Sequence, residues 1–294
     1  MKAPASLSEI PHLLALLDDP DDQVALIVHD RLTTMGPPVA GLLRSLSIDA
    51  KNRTLTRRLE SVLSDIESDQ TMHALYAWRN NPDPDLMQGL CLITQLISPI
   101  TLVDTLFDSL LDISKEVWIE LSDQKTVMEL VNLLNHILYH RLGFRAEDPF
   151  LTDFDKALLH NTVETKIANP VLFGLLYIAV AEHASIPVSA VAFPGGFLPA
   201  CLNNEGRLLF YINVCQNGEA FGHEQLRTYL HNFGLSISND RFEPCHAPTL
   251  LSIYAESLSY IADSLGDKEL EYKMEKVIEL LGNKRYLLIE EDDD

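Results

Sequence analysis

The residues with the greatest capacity for nucleophilic chemistry are cysteines in the second half of the chain. Cys215 follows Asn213 of a predicted strand by two residues, and Cys201 lies on the neighbouring predicted strand. His183 and His223 are the histidines that could act as their bases. A thiol activated by a histidine would serve a hydrolase or an acyltransferase. The pattern places neither thiol at a helix N-terminus, where its pKa would fall, and buried cysteines commonly act as small hydrophobic residues. We therefore keep this site as an alternative.

A second candidate is a metal site on a predicted helix. His136 and His140 are four residues apart, a spacing that places both imidazoles on one face of a helix. A closed metal site needs three or four ligands, and Glu129 lies a full heptad away. We expect two half-exposed histidines at a contact between helices, and no metal or cofactor.

Acidic residues dominate the charge of the chain. It has 43 Asp and Glu against 22 Lys and Arg, a formal net charge of −21, so phosphate backbones and anionic lipids would be repelled. We expect neither a nucleic acid nor a membrane as partner. Acid–base catalysis needs a desolvated carboxyl, so the many acidic pairs indicate solvated surfaces. An acidic surface favours a protein partner with a basic segment. Tyr76, Trp78 and Trp118 could anchor it, although helical spacing favours a core position for each.

The apolar runs of the sequence do not predict a targeting signal or a membrane span. The apolar run at 13–17 is too short for a signal-peptide core, and the longest apolar stretch, 171–181, is shorter than the roughly 18 to 20 residues needed to span a bilayer. The four cysteines form no C-x-x-C pair. We expect a cytoplasmic protein with reduced thiols.

Helical periodicity covers most of the chain. It predicts a helical hairpin over 7–46, a continuation over 49–67, helix from Asn81–Asp85 to Leu142, a helix at 170–183 capped by Asn169, and two helices within 247–281 divided at Gly266. The one clear strand block, 187–214, has two short turns and predicts a three-stranded antiparallel meander. Pro199 in its middle strand would cost a ladder hydrogen bond, which predicts an edge or bulged strand.

Three stretches carry a resemblance to a known family: LLNHILYHRLGFRAEDPF (133–150), NTVETKIANPVLFGLLYIAVAEHASIPVSAVAFPGGFLPACL (161–202) and LLFYINVCQNGEAFGHEQL (208–226). They resemble the transglutaminase-like superfamily, and within it the bacterial SirB-type branch. Residues 242–281 are similar to the helical extension that follows the core in some members. The N-terminal segment I-P-x-L-L-x-L-L-x-D-P-D-D-x-V resembles a HEAT repeat, and 247–281 resembles a tetratricopeptide-like hairpin.

The resemblance implies where catalytic residues would lie. Active members use a nucleophile on the first turn of a helix, a histidine and an acid on adjacent strands. In the SirB-type branch the nucleophile, often Ser or Thr, lies two residues after the Pro of G-x-P-[IV]-[ST]; the His falls in P-x-H-F and the acid in [IY]-[DN]-P-F. The matching positions here are Leu172, Gly196 and Asn213, and none of these side chains can perform the implied role.

These observations predict an α+β chain that is predominantly helical. We expect HEAT-like helices at 1–79, a transglutaminase-like core with a small antiparallel sheet at 80–240, and a helical hairpin with an acidic tail at 241–294. The expected function is that of a catalytically inactive adaptor or regulator that binds another protein, with its oligomeric state left open. The alternatives are a cysteine-dependent hydrolase or acyltransferase with a relocated nucleophile, and a small-molecule-binding module that uses the vacated cleft around Leu172, Phe193 and Phe197.

Overall fold

The computed structural model describes residues 9–49, 52–99, 103–121, 125–193, 195–203, 207–232 and 245–282. Within these ranges the protein has twelve α-helices and two small sheets, which confirms a predominantly helical α+β fold. The chain divides into two compact units, Met1–Leu75 and Tyr76–Asp294. None of the helices in the described ranges is both long enough and apolar enough to cross a membrane.

The first unit is made of helices, whose bounds are α1 Ile10–Leu17, α2 Asp22–Met35, α3 Pro37–Asp49 and the first part of α4 Arg53–Arg79. Their apolar faces form one buried cluster that includes Leu17, Leu32 and Leu59. Arg58 fixes the turn between the first two helices, because its guanidinium donates to the carbonyls of Leu17 and Asp19, each at 2.8 Å. The predicted pairing of the first two helices is confirmed, but the range predicted for this hairpin, 7–46, also contains the start of a third helix at Pro37. The likeness to a HEAT repeat stays a prediction.

The second unit holds the remaining helices, α5 Leu86–Ile97, α6 Val103–Trp118, α7 Val127–Asn135, α8 Leu159–Thr165, α9 Pro170–His183, α10 His223–Asn232, α11 Ala247–Leu265 and α12 Lys268–Leu281. A π-helix, His136–Arg141, continues directly from α7. The division between α11 and α12 lies at Gly266, whose positive φ of 72° ends α11 as predicted. The tetratricopeptide likeness of this pair stays a prediction.

Helix α9 lies at the centre of this unit. Residues 172–181 are all buried, and the helix packs against α5, α6, α11 and the larger sheet. Its start agrees with the prediction, since the Asn169 side chain accepts a hydrogen bond from the Leu172 amide at 2.8 Å and Pro170 is the first helical residue. A helix that is apolar on every side must be enclosed by other elements, which the surrounding helices and strands provide.

Two sheets accompany these helices. The strands β1 Arg145–Ala146 and β2 Ile167–Ala168 form a short parallel pair. The larger sheet is antiparallel in the order β3-β4-β5-β6, with bounds β3 Val188–Phe193, β4 Gly196–Leu202, β5 Leu208–Asn213 and β6 Glu219–Phe221. The predicted sheet had three strands, whereas the observed sheet has a fourth, β6. This strand was missed because its three residues are too few to show an alternating pattern.

Pro199 lies inside the sheet rather than at its edge. It pairs with Ala190 of β3, whereas pairing between β4 and β5 starts at Ala200. The register shifts between Cys201 and Leu202, so the irregularity that was predicted for this strand lies two residues beyond the proline. Pro199 thus occupies the part of β4 that forms its ladder on one side only.

Candidate functional site

A cavity of about 480 Å³ lies between the start of α9, the larger sheet and the loop after β1. Most of its wall is apolar. The lining residues are Pro149, Leu151, Pro170, Val171, Gly174, Phe193, Gly195, Gly196, Phe197, Leu198, Pro199, Asn213, Val214, Cys215, Gln216, Glu219, Phe221, Gln225 and Leu226. The sheet contributes to this cavity from all four of its strands, so no single segment of the sequence defines it.

The sheet places two of the predicted positions at this cavity. Gly196 is the buried first residue of β4, paired with Phe193 across a tight turn. Its φ of 143° belongs to a region that residues with a Cβ rarely adopt. Asn213 is the last residue of β5, and its side chain accepts a hydrogen bond from the Cys215 amide at 3.0 Å and donates to Gln216 Oε1 at 3.1 Å.

Leu172 does not reach the cavity. The two residues before it, Pro170 and Val171, line the wall, whereas the Leu172 side chain on the first turn of α9 is fully buried. Phe193 and Phe197, the other residues predicted at a vacated cleft, do line the cavity. Gly174 lets the Phe197 ring approach the helix, since a Cβ at that position would lie 2.9 Å from Phe197 Cζ. The predicted cleft is therefore present, with Leu172 packed behind it.

A hydrogen-bond network that the sequence did not reveal holds the turn between β5 and β6. Asn135 Nδ2 donates to the Gly218 carbonyl at 2.8 Å, and the Tyr177 hydroxyl donates to Asn135 Oδ1 at 2.7 Å. The Tyr139 hydroxyl donates to the Val214 carbonyl at 3.0 Å. Helices α7 and α9 thus fix the turn that supplies one wall of the cavity. The Asn217–Gly218 dipeptide, a strong hairpin signal, could have indicated β6 but not these distant partners.

The candidate nucleophiles have environments that oppose reactivity. Burial raises the pKa of Cys201 to about 12, and partial desolvation also raises the pKa of Cys215 above its ordinary value. Cys215 is exposed and lines the cavity, whereas Cys201 is fully buried. His223 lies at the start of α10, where its Nδ1 is 3.3 Å from the Tyr211 hydroxyl. His183 Nε2 instead faces Asp85 at 3.1 Å.

The candidate metal residues lie in a separate cleft. His136 and His140 are exposed on the π-helix, with ring centroids 5.8 Å apart, and their cleft shares Gln216 and Glu219 with the wall of the larger cavity. Across the described ranges, no group of three or more His, Cys, Asp or Glu is arranged to hold a metal ion. The prediction that both histidines are at least partly exposed agrees with their position at this cleft, and a role in metal binding stays untested.

The three candidate aromatic anchors differ in exposure. Trp78 is 4% exposed and donates its indole N–H to the Asp85 carbonyl at 2.7 Å, as expected for a core residue. Tyr76 and Trp118 are 58% and 63% exposed, so the prediction of a core position was wrong for both. Helical spacing alone does not identify which apolar stripe a helix buries.

The fold and the cavity define a mainly helical protein built around a buried helix, α9, whose first turn lines a cavity together with a small antiparallel sheet. Residues 104–254, about half of the chain, match the family model of the transglutaminase-like superfamily. The chain belongs to this superfamily, which confirms the resemblance at that level. The matched region contains every residue that lines the cavity.

Curated relatives are distant. A UPF0162 protein of Xylella fastidiosa strain 9a5c is 27% identical over 141 residues, which cover 48% of this chain and 48% of the relative. A UPF0162 protein of Vibrio cholerae serotype O1 is 23% identical over 146 residues, which cover 50% of this chain and 53% of the relative. The chain therefore matches about half the length of each of these relatives.

Proposed function

We propose that the protein is a catalytically inactive member of the transglutaminase-like superfamily, and that it acts as a cytoplasmic adaptor or regulator by binding a segment of another protein. The observation that carries the proposal is the composition of the wall where the resemblance implies catalytic residues. Gly196 and Asn213 line the cavity, and Leu172 is buried behind it. None of these side chains can attack a carbonyl, accept a proton from a nucleophile or carry a negative charge.

The cysteines do not restore this chemistry. A raised pKa lowers the thiolate fraction at neutral pH, whereas catalytic thiols have lowered pKa values. Burial raises the pKa of Cys201 to about 12, and the pKa of Cys215 is also raised. The environments of both thiols therefore support a binding role over that of a hydrolase with a relocated nucleophile.

The cavity supports a binding role. Its volume of about 480 Å³ lies within the range of ligand pockets, and aromatic walls such as Phe193, Phe197 and Phe221 favour an apolar occupant. This space would accept one or two large side chains of a partner segment. The same volume favours a second candidate function, the binding of a small apolar molecule.

The catalytic half of the proposal is tested by comparing the protein with its Cys215→Ala variant. Both should hydrolyse p-nitrophenyl acetate at the same slow rate and release no ammonia from glutamine peptides, because no activated nucleophile faces the cavity. Turnover by the unaltered protein that disappears in Cys215→Ala would establish the hydrolase alternative instead.

The binding half is tested by selecting random dodecapeptides on the immobilised protein. Val171 is a partly buried wall residue on the first turn of α9, so Val171→Trp should fill the cavity and abolish the selected binding. Leu209→Trp, at a β5 position that is 47% exposed and does not line the cavity, is the matched control and should bind normally. Thermal melting curves of both variants check that each one folds.

The selection has outcomes that count against the proposal. If no peptide binds the unaltered protein more tightly than it binds the Val171→Trp variant, binding of a protein segment at this cavity is refuted. Apolar compounds that raise the melting temperature of the protein, but not that of Val171→Trp, would then establish the small-molecule function.

A further inference from the structure

The rim of the cavity presents a large exposed aromatic side chain. Phe150 is 78% exposed and lies between Pro149 and Leu151, which both line the cavity. An aromatic residue left this exposed beside an apolar cavity extends the apolar surface from the cavity toward solvent. Phe150 does not itself line the cavity, so a segment would contact it by continuing from the cavity past Pro149 and Leu151.

The loop that carries Phe150 is held by its own hydrogen bonds. The Asp148 carboxylate accepts from the Thr152 amide and the Asp153 amide, each at 2.8 Å, and from the Thr152 hydroxyl at 2.7 Å. Asp148 and Leu151 have positive φ values of 64° and 53°; an aspartate tolerates this backbone, whereas a leucine adopts it only where the surroundings impose it. Phe150 is thus presented by an ordered loop. Binding of a ligand to it would therefore carry only a small entropic cost for ordering the loop.

Glu219 gives the cavity a negative charge. Among the residues that line it, Glu219 is the one with a charged side chain, and Lys, Arg and His do not occur among them. Glu219 is exposed at the start of β6, and it also lines the neighbouring cleft that contains His136 and His140. The whole protein carries −21, so a cation is attracted to this wall and an anion is repelled from it.

We infer that the cavity and the Phe150 rim bind a protein segment in which an apolar side chain is close to a lysine or arginine, with the apolar group in the cavity and the cation against Glu219. This inference rests on the proposed binding function and specifies its partner. Charge complementarity identifies the basic residue, and the aromatic walls together with Phe150 identify the apolar one.

The inference is tested with the peptides selected on the cavity. They should combine apolar residues with Lys or Arg, and synthetic copies should be assayed by fluorescence anisotropy at 50 and 300 mM salt. Glu219→Gln should weaken binding about fivefold at low salt and remove most of the salt dependence, because a partly exposed ion pair is lost. Glu164→Gln makes the same change of charge at an exposed position of α8 that does not line the cavity, and should have no effect.

The rim is tested separately. Phe150→Ser should weaken binding about tenfold, as expected when an aromatic anchor is removed from an interface. Tyr272→Ser removes an aromatic side chain that is 63% exposed on α12, and should leave binding unchanged.

The outcomes separate this inference from the proposed function. Selected peptides that lack Lys and Arg, or that bind Glu219→Gln as tightly as the unaltered protein, would overturn the inference while binding at the cavity stands. If Phe150→Ser binds the peptides as tightly as the unaltered protein, Phe150 is not part of the binding surface. Absence of any selected peptide that depends on the cavity would refute both.

Discussion

Gly218 is the position at which one added methyl group should disturb the cavity wall most. Its φ is 73°, and a Cβ there would overlap the side-chain amide of Asn135, lying 2.6 Å from Asn135 Nδ2. That amide is fixed from two sides, since it donates to the Gly218 carbonyl and accepts from the buried Tyr177 hydroxyl. Gly218→Ala should therefore displace Asn135 and break both hydrogen bonds.

The expected loss in the free energy of unfolding of Gly218→Ala has two parts. An alanine in left-handed backbone costs about 1 to 2 kcal/mol. Loss of the Asn135 bonds leaves the buried Tyr177 hydroxyl unpaired, which adds about 1 to 3 kcal/mol. Gly266 separates these parts, because its φ is 72° and an added Cβ there meets nothing within 4 Å. Gly266→Ala should therefore show the backbone cost alone, and Gly218→Ala should lower the free energy of unfolding by more.

A double-mutant cycle in urea measures the contact directly. Asn135→Ala removes the obstructing amide, so adding Gly218→Ala to it should cost only the backbone part, and the two substitutions should be less than additive by about 1 to 3 kcal/mol. Additive effects, or equal losses in Gly218→Ala and Gly266→Ala, would refute the role given to Asn135. The same turn supplies Cys215 and Gln216 to the wall of the cavity. Gly218→Ala should therefore also weaken the binding of the selected peptides.

Three further predictions concern single side chains. Iodoacetamide labelling read by mass spectrometry should find Cys201 inert, because burial raises its pKa to about 12, and Cys215 reactive with a midpoint above that of a free thiol; a lower midpoint would contradict this. Leu172→Ser should lower the free energy of unfolding by about 3 kcal/mol without creating esterase activity, and a stable, active variant would refute its core role. Desolvation and Asp85 raise the pKa of Glu182 from 4.5 to about 7, so the folded state retains a proton that the unfolded state loses, and stability falls as pH rises through that window. Glu182→Gln should lose less stability between pH 5 and 7.5 in urea titrations, and an unchanged pH slope would contradict the shift.

Helix boundaries could be predicted where a cap is local in sequence. Asn169 caps the third residue after it, and Asp85 accepts from the Gln88 amide at 2.7 Å in the same way. Gly266 ends α11 by its own backbone conformation. Each of these signals acts within one turn of a helix, so the sequence contains all the information needed.

The cavity could not be predicted in the same way, because its parts are distant in sequence. The hydrogen bond between Asn135 and Gly218 joins residues 83 positions apart, and β1 pairs with β2 across 20 intervening residues. The Phe150 rim depends on a loop with two left-handed residues, of which Asp148 is a type that favours turns and Leu151 is not. Local propensity does not indicate these placements, which tertiary packing decides.

Under the proposed correspondence with catalytic positions, each of the three residues has a structural role that a catalytic side chain would disturb. Leu172 fills the fully buried first turn of α9, and a smaller polar side chain would leave a void there. Gly196 has a φ of 143°, at which a histidine would be strained. Asn213 uses its carbonyl oxygen for the Cys215 amide and its amino group for Gln216, and an aspartate would keep the second bond only if the Gln216 amide turned so that its Nε2 donates. Restoring the three catalytic residue types would thus require changes in packing and backbone as well as in chemistry.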